Sequence, residues 1–168
     1  MRFLRLLVVL FLGLLALSAC GPREKSKFLT YNGPEVTSVQ VHKADRKMYL
    51  LHHGRVLKSY DIALGFAPVG HKQFEGDGKT PEGTYFIDRR NPNSAFHLSI
   101  GISYPNEADK AHAEAQGKSP GGDIFIHGGP RRPTTSADWT EGCIAVTDEE
   151  MEEVYAMVKD GTVIHILP

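Results

Sequence analysis

The stretch CIAVTDEEMEEVYAMVKDGTVIHIL, residues 143–167, reads as a helix held between two strands. Thr147 with Glu150 three positions later is a capping box, each side chain reaching the other's backbone N–H. Asp148, Glu149 and Glu150 place negative charge at the positive end of the helix dipole. Met151, Val154, Tyr155 and Val158 share one apolar face, and Gly161 stands where a helix stops. Such a helix packs a core. It also fixes the strand before it, and with that strand the position of Cys143.

Outward from this unit, β-branched and aromatic runs bounded by turn residues recur along the chain. They predict strands over 36–42, 47–53, 55–64, 83–90, 95–102, 123–128, 143–146 and 162–167. Short strands at this spacing argue for a mainly β fold, a mixed β-sandwich or barrel, with one or two short helices. The second helix would open the polar segment NEADKAHAEAQGKSPGG, 106–122, which then runs out in glycines as a flap or a plain surface connection.

At the N-terminus, Arg2 and Arg5 precede an apolar run from Leu6 to Leu17, too short for a spanning helix and placed as a secretory leader. The leader, 1–19, runs up to Cys20 in the stretch LSAC, which resembles the lipobox of bacterial lipoproteins. In that reading Cys20 is lipidated and the 149 residues that remain are exported and membrane-anchored, facing the periplasm or cell wall. Gly21 in place of an aspartate favours the outer membrane where there is one. Residues 20–35 read as the lipidated N-terminus and a tether, leaving one domain over 36–168. Without Arg2 and Arg5 the 19 basic residues fall to 17 against 20 acidic ones. No basic stripe with interleaved aromatics points to nucleic acid.

With Cys20 acylated, Cys143 has no disulfide partner, so it is either a buried inert residue or a reactive thiol. A nucleophilic thiol needs a base. His127 closes the strand DIFIH and is followed by Gly128 and Gly129; Cys143 opens CIAV and is preceded by Gly142. Both sit at strand ends, and the amides around Gly142 and Cys143 are candidate donors to an oxyanion. Contact between the two side chains would favour the charged form of each and lower the thiol's pKa. His52, His53, His71, His97 and His112 show no paired ligand spacing, so no metal and no cofactor is expected.

IHGG, followed by TEGCIAV with its cysteine sixteen positions after the histidine, resembles the catalytic signature of the L,D-transpeptidase catalytic domain family. A second stretch, GFAPVGHKQFEGDGKTPEGTYFI (65–87), resembles that family's Gly-x-x-x-Thr-Pro-x-Gly segment. The resemblance covers roughly 36–167 and implies the family's mixed β fold. It makes Cys143 the nucleophile, His127 the general base, Gly142 part of the oxyanion turn and Thr140 the signature's Ser/Thr. Gly128, Glu141, His97 and Tyr104 are the remaining pocket candidates. Two positions depart from the family pattern: Glu141 where many members have histidine, and Ala145 where they have arginine or asparagine. The implied function is cysteine-dependent acyl transfer on peptidoglycan stem peptides. The alternatives are an amidase or L,D-carboxypeptidase using the same acyl-enzyme on crosslinks or lipoprotein attachments, and a non-catalytic wall-binding lipoprotein.

Overall fold

The computed structural model describes residues 26–168. The expected leader and Cys20 lie outside the described residues. The elements are β1 (Ser38–His42), β2 (Lys47–His52), β3 (Arg55–Asp61), β4 (Gly83–Asn91), β5 (Ser99–Ile102), α1 (Glu107–Glu114), β6 (Phe125–His127), β7 (Ile144–Ala145), α2 (Asp148–Met157) and β8 (Val163–Leu167). The eight strands form one sheet in the order β3-β2-β1-β8-β4-β5-β6-β7. Neighbours run antiparallel except β1–β8 and β6–β7. This is the mainly β architecture that the alternation predicts, curved into a half-barrel.

The curvature brings the two ends of the sheet together. Just past β3, Ala63 exchanges both backbone hydrogen bonds with Ala145, each 2.9 Å. Next to it, the Thr140 N–H donates to Leu64 O at 3.0 Å and the Phe66 N–H to Thr140 O at 2.9 Å. A two-residue strand at a sheet edge would fray alone; here β7 is hydrogen-bonded on both sides. That double attachment is what makes the strand following Cys143 rigid.

In β1 the alternation is plain: Val39 and Val41 are fully buried, between half-exposed Ser38, Gln40 and His42. All four residues of β5 are buried, because this strand lies between β4 and β6 and under α2. Met151 and Val154 of α2 are fully buried against Ile100, Ile102 and Ile126 within one continuous core. Truncating such a residue to alanine costs about 2–5 kcal/mol.

Three expectations are revised. Both halves of the Thr147–Glu150 capping box form, but α2 ends at Met157 because Val158 turns extended into the core. Gly161, at φ +86°, serves the turn into β8 instead of capping the helix. β5 starts at Ser99 and not at residue 95, because His97 adopts φ +70° and breaks the strand. From Lys27 onward the tether is not free: the Lys27 ammonium donates to Pro92 O and His97 O, and Phe28 packs on Tyr155 of α2. No helix among the described residues is long and apolar enough to cross a membrane.

Candidate active site

β6 and β7 are parallel, with Ile126 opposite Ile144 and His127 opposite Ala145. Alternate residues of a strand share a face, so Cys143, two before Ala145, lies diagonally from His127 on the same face. Both side chains line one open cavity of about 550 Å³. The structure thus brings the two candidates together.

His127 is buried, its ring stacked on Phe96 at 4.5 Å and edge-on to Trp139 at 5.6 Å. Its Nδ1 lies 2.7 Å from Gly128 O. A carbonyl oxygen only accepts, so the proton is assigned to Nδ1 and Nε2 carries the lone pair. That is the tautomer a general base needs, and a backbone carbonyl holds it. Gly128 is required by close packing, since a Cβ there would lie 2.3 Å from Asp148 Oδ1 and 2.7 Å from Phe96 O.

Thr140 builds the turn before the thiol. Its hydroxyl donates to Cys143 O at 2.7 Å and accepts the Gly142 N–H at 3.2 Å. Gly142 is at φ +131°, and a Cβ would lie 2.6 Å from Lys79 O. The Gly142 amide is therefore engaged within the turn. Of the two candidate amides, the Cys143 N–H is the one not engaged within this turn.

Burial pushes the Cys143 thiol above its ordinary pKa, against the pull of the Phe125 amide; Asp123 adds to the rise, Lys72 opposes it and Glu141 adds again. Burial likewise lowers His127, against the bond to Gly128 O and with the help of Arg131. Both shifts run in the direction that favours the neutral forms, thiol and imidazole. The expected low-pKa thiolate is not what this environment favours: removal from water is the largest influence on both groups, and neither counts the other among the neighbours that shift it. The sulfur's hydrogen bond goes to Asp123 O, at 3.5 Å.

Of the other candidates, Thr140 and Glu141 line the cavity, and Gly128 acts from behind the imidazole. His97 and Tyr104 do not line it. His97 faces α2, with Nε2 3.0 Å from Glu152 and Nδ1 4.0 Å from Asp148. The buried Tyr104 hydroxyl donates to Pro120 O at 3.0 Å. Their neighbours in the chain gave no hint that these polar groups are satisfied elsewhere. Lining residues that sequence reasoning passed over are Lys72, Glu75, Phe96, Asp123 and Trp139. Trp139 stands beside the TEGC signature, and Lys72 and Glu75 lie inside the 65–87 segment. Among the described residues no group of His, Cys, Asp and Glu is arranged to hold a metal ion.

Comparison with known proteins agrees with this fold. A family profile of the L,D-transpeptidase catalytic domain (YkuD) matches residues 37–166. YafK of Escherichia coli (strain K12) is 31% identical over 132 residues, 74% of this chain and 48% of that protein. The crystal structure of the helical cell shape determining protein Pgp2 from Campylobacter jejuni superposes with TM-score 0.63 at 29% identity, covering 86% of this chain and 51% of that one. Bd1075 of Bdellovibrio bacteriovorus gives TM-score 0.57 at 25% identity, covering 79% and 48%. The chain thus spans about half the length of the relatives it matches. With its sheet order, its paired histidine and cysteine strands and the profile match in agreement, the chain belongs to the L,D-transpeptidase catalytic domain family.

Proposed function

We propose that this protein transfers the acyl group of a peptidoglycan stem peptide through Cys143. The observation that supports the reading is that Cys143, one residue before β7, and His127, in the neighbouring β6, line one cavity, with the imidazole's Nδ1 tied to Gly128 O. As Cys143 Sγ attacks the scissile amide carbon, His127 Nε2 takes the thiol proton. The tetrahedral oxyanion meets the Cys143 N–H. Collapse breaks the C–N bond, the leaving amine takes the proton from Nε2, and a thioester remains. An acceptor amine, losing its proton to Nε2, then attacks the thioester; collapse breaks the C–S bond, forms the new amide, and the departing sulfur takes that proton back from Nε2 as the thiol.

Water in place of the amine gives a carboxylate, the outcome of an amidase or L,D-carboxypeptidase. The reading extends to location: an exported protein anchored through lipidated Cys20, with stem peptides as its partners and no cofactor. Cys20→Ser should release the protein from the membrane fraction, and an unmodified N-terminus on soluble wild type would remove the anchor. Mass spectrometry of defined muropeptides incubated with the soluble domain tests the reaction. New crosslinks identify transfer, shortened stems identify hydrolysis, and unchanged substrate overturns the reading in favour of a wall-binding protein.

A further inference from the structure

Two lysines of this domain are almost completely buried, Lys43 at 2% and Lys72 at 3% exposure. The contrast between them is informative. The Lys43 ammonium has three N–H bonds and three acceptors: Gly70 O, Thr80 O and Glu82 Oε1. Lys72 has two acceptors, Phe74 O and Asp77 Oδ1, both at 3.0 Å. Its third N–H has no acceptor among the described residues. Lys72 also lines the cavity that holds Cys143.

Asp77 does not need Lys72 to satisfy its carboxylate. It accepts the backbone amides of Gln73, Phe74 and Lys79, which saturates the turn around it. A buried ammonium with a spare donor is costly unless something meets it. Lys72 is the only lysine or arginine among the cavity's lining residues, which also include Glu75, Asp123 and Glu141. An anionic group entering this space has one favourable seat, and three carboxylates disfavour every other. We propose that the Lys72 ammonium is the carboxylate-binding group of the catalytic cavity, seating a carboxylate of the peptide while Cys143 attacks. The proposal rests on the acyl-transfer reading above for its substrate, but not for its test.

The test uses Cys143 itself as the reporter. Iodoacetate and iodoacetamide differ in a carboxylate against a neutral amide, and either alkylates a thiolate with loss of iodide. At one alkaline pH, Lys72→Met should lower the iodoacetate-to-iodoacetamide rate ratio on the order of tenfold, the worth of one charge-assisted hydrogen bond. Lys72→Arg should keep most of the ratio. In wild type, acetate should protect Cys143 from iodoacetamide where acetamide does not, a measurement that needs no variant to fold. An unchanged ratio in Lys72→Met with an unchanged melt, or equal protection by acetate and acetamide, overturns the proposal. With stem peptides amidated at the C-terminal or the side-chain carboxylate, the KM penalty of Lys72→Met should vanish for one of the two, which names the group recognised. A penalty that persists equally in both overturns carboxylate seating.

Discussion

Trp139 stands edge-on to His127, with ring centroids 5.6 Å apart and an interplanar angle of 63°. Phe96 covers another side of the same imidazole, so the base is clamped between two aromatic rings with Nδ1 tied to Gly128 O. Trp139 is the only tryptophan in the chain, and its emission therefore reports on the base directly. A protonated imidazole beside an indole quenches it. Fluorescence should fall as pH drops, with a midpoint below the ordinary histidine value of about 6.5, because burial disfavours the imidazolium. The transition should vanish in His127→Gln. A midpoint at or above 6.5 contradicts the environment described here.

The same burial makes stability depend on pH from both sides. His127 resists protonation in the folded state, so the unfolded chain binds more protons below about pH 6.5 and stability falls there. Cys143 resists ionisation in the folded state, so the unfolded thiol ionises first above about pH 8.5 and stability falls again. Thermal melts across pH should show a plateau between these limits. His127→Gln should flatten the acid side and Cys143→Ala the alkaline side.

Arg46 and Asp138 form a fork-to-fork ion pair, with Nε 3.0 Å from Oδ1 and Nη2 2.7 Å from Oδ2. Asp138 Oδ1 also accepts the Leu64 N–H at 3.0 Å, fixing the chain one residue before Trp139. The pair thereby ties the β1–β2 turn to the loop that carries Trp139 and Thr140. Arg46 is about a third exposed, which discounts the pair's worth. Asp138→Ala should cost about 1–2 kcal/mol, chiefly by leaving the Leu64 N–H and the Nε and Nη2 of Arg46 without their acceptor, while Nη1 keeps Lys43 O. Trp139 emission should shift to the red in the variant, and an unshifted spectrum would show that the clamp does not position the indole.

Much of this arrangement was readable in one dimension, for physical reasons. A half-buried strand alternates, as VQVH does in β1, and a capped helix writes its start in Thr147 and Glu150. His127 and Cys143 stood out because each ends or opens an apolar run beside a glycine. Lys72 did not stand out. In HKQFEGDGK nothing separates a solvated lysine from one folded under a turn, and burial there is decided by Asp77 gathering three amides. His97 and Tyr104 were misplaced for the same reason. A polar side chain near a site in sequence finds its partner through the fold, and theirs are Glu152 and Pro120.

The roles of base and nucleophile can be separated by comparing turnover with alkylation. Cys143→Ala removes one sulfur from a largely buried position beside the cavity and should abolish turnover with little change in melting below pH 8. His127→Gln removes the lone pair at Nε2 and should cost about 10² to 10⁴ in turnover. Because the resting pair is neutral, His127 contributes little to thiolate in the free enzyme. Iodoacetamide labelling of Cys143 should therefore be slow at neutral pH and rise only above the ordinary thiol pKa, in wild type and His127→Gln alike. His97→Ala should lower the melting temperature through the lost contact with Glu152 and leave the labelling profile unchanged. Fast labelling at neutral pH that collapses in His127→Gln would instead identify a resting thiolate–imidazolium pair, and the neutral ground state argued here would be wrong.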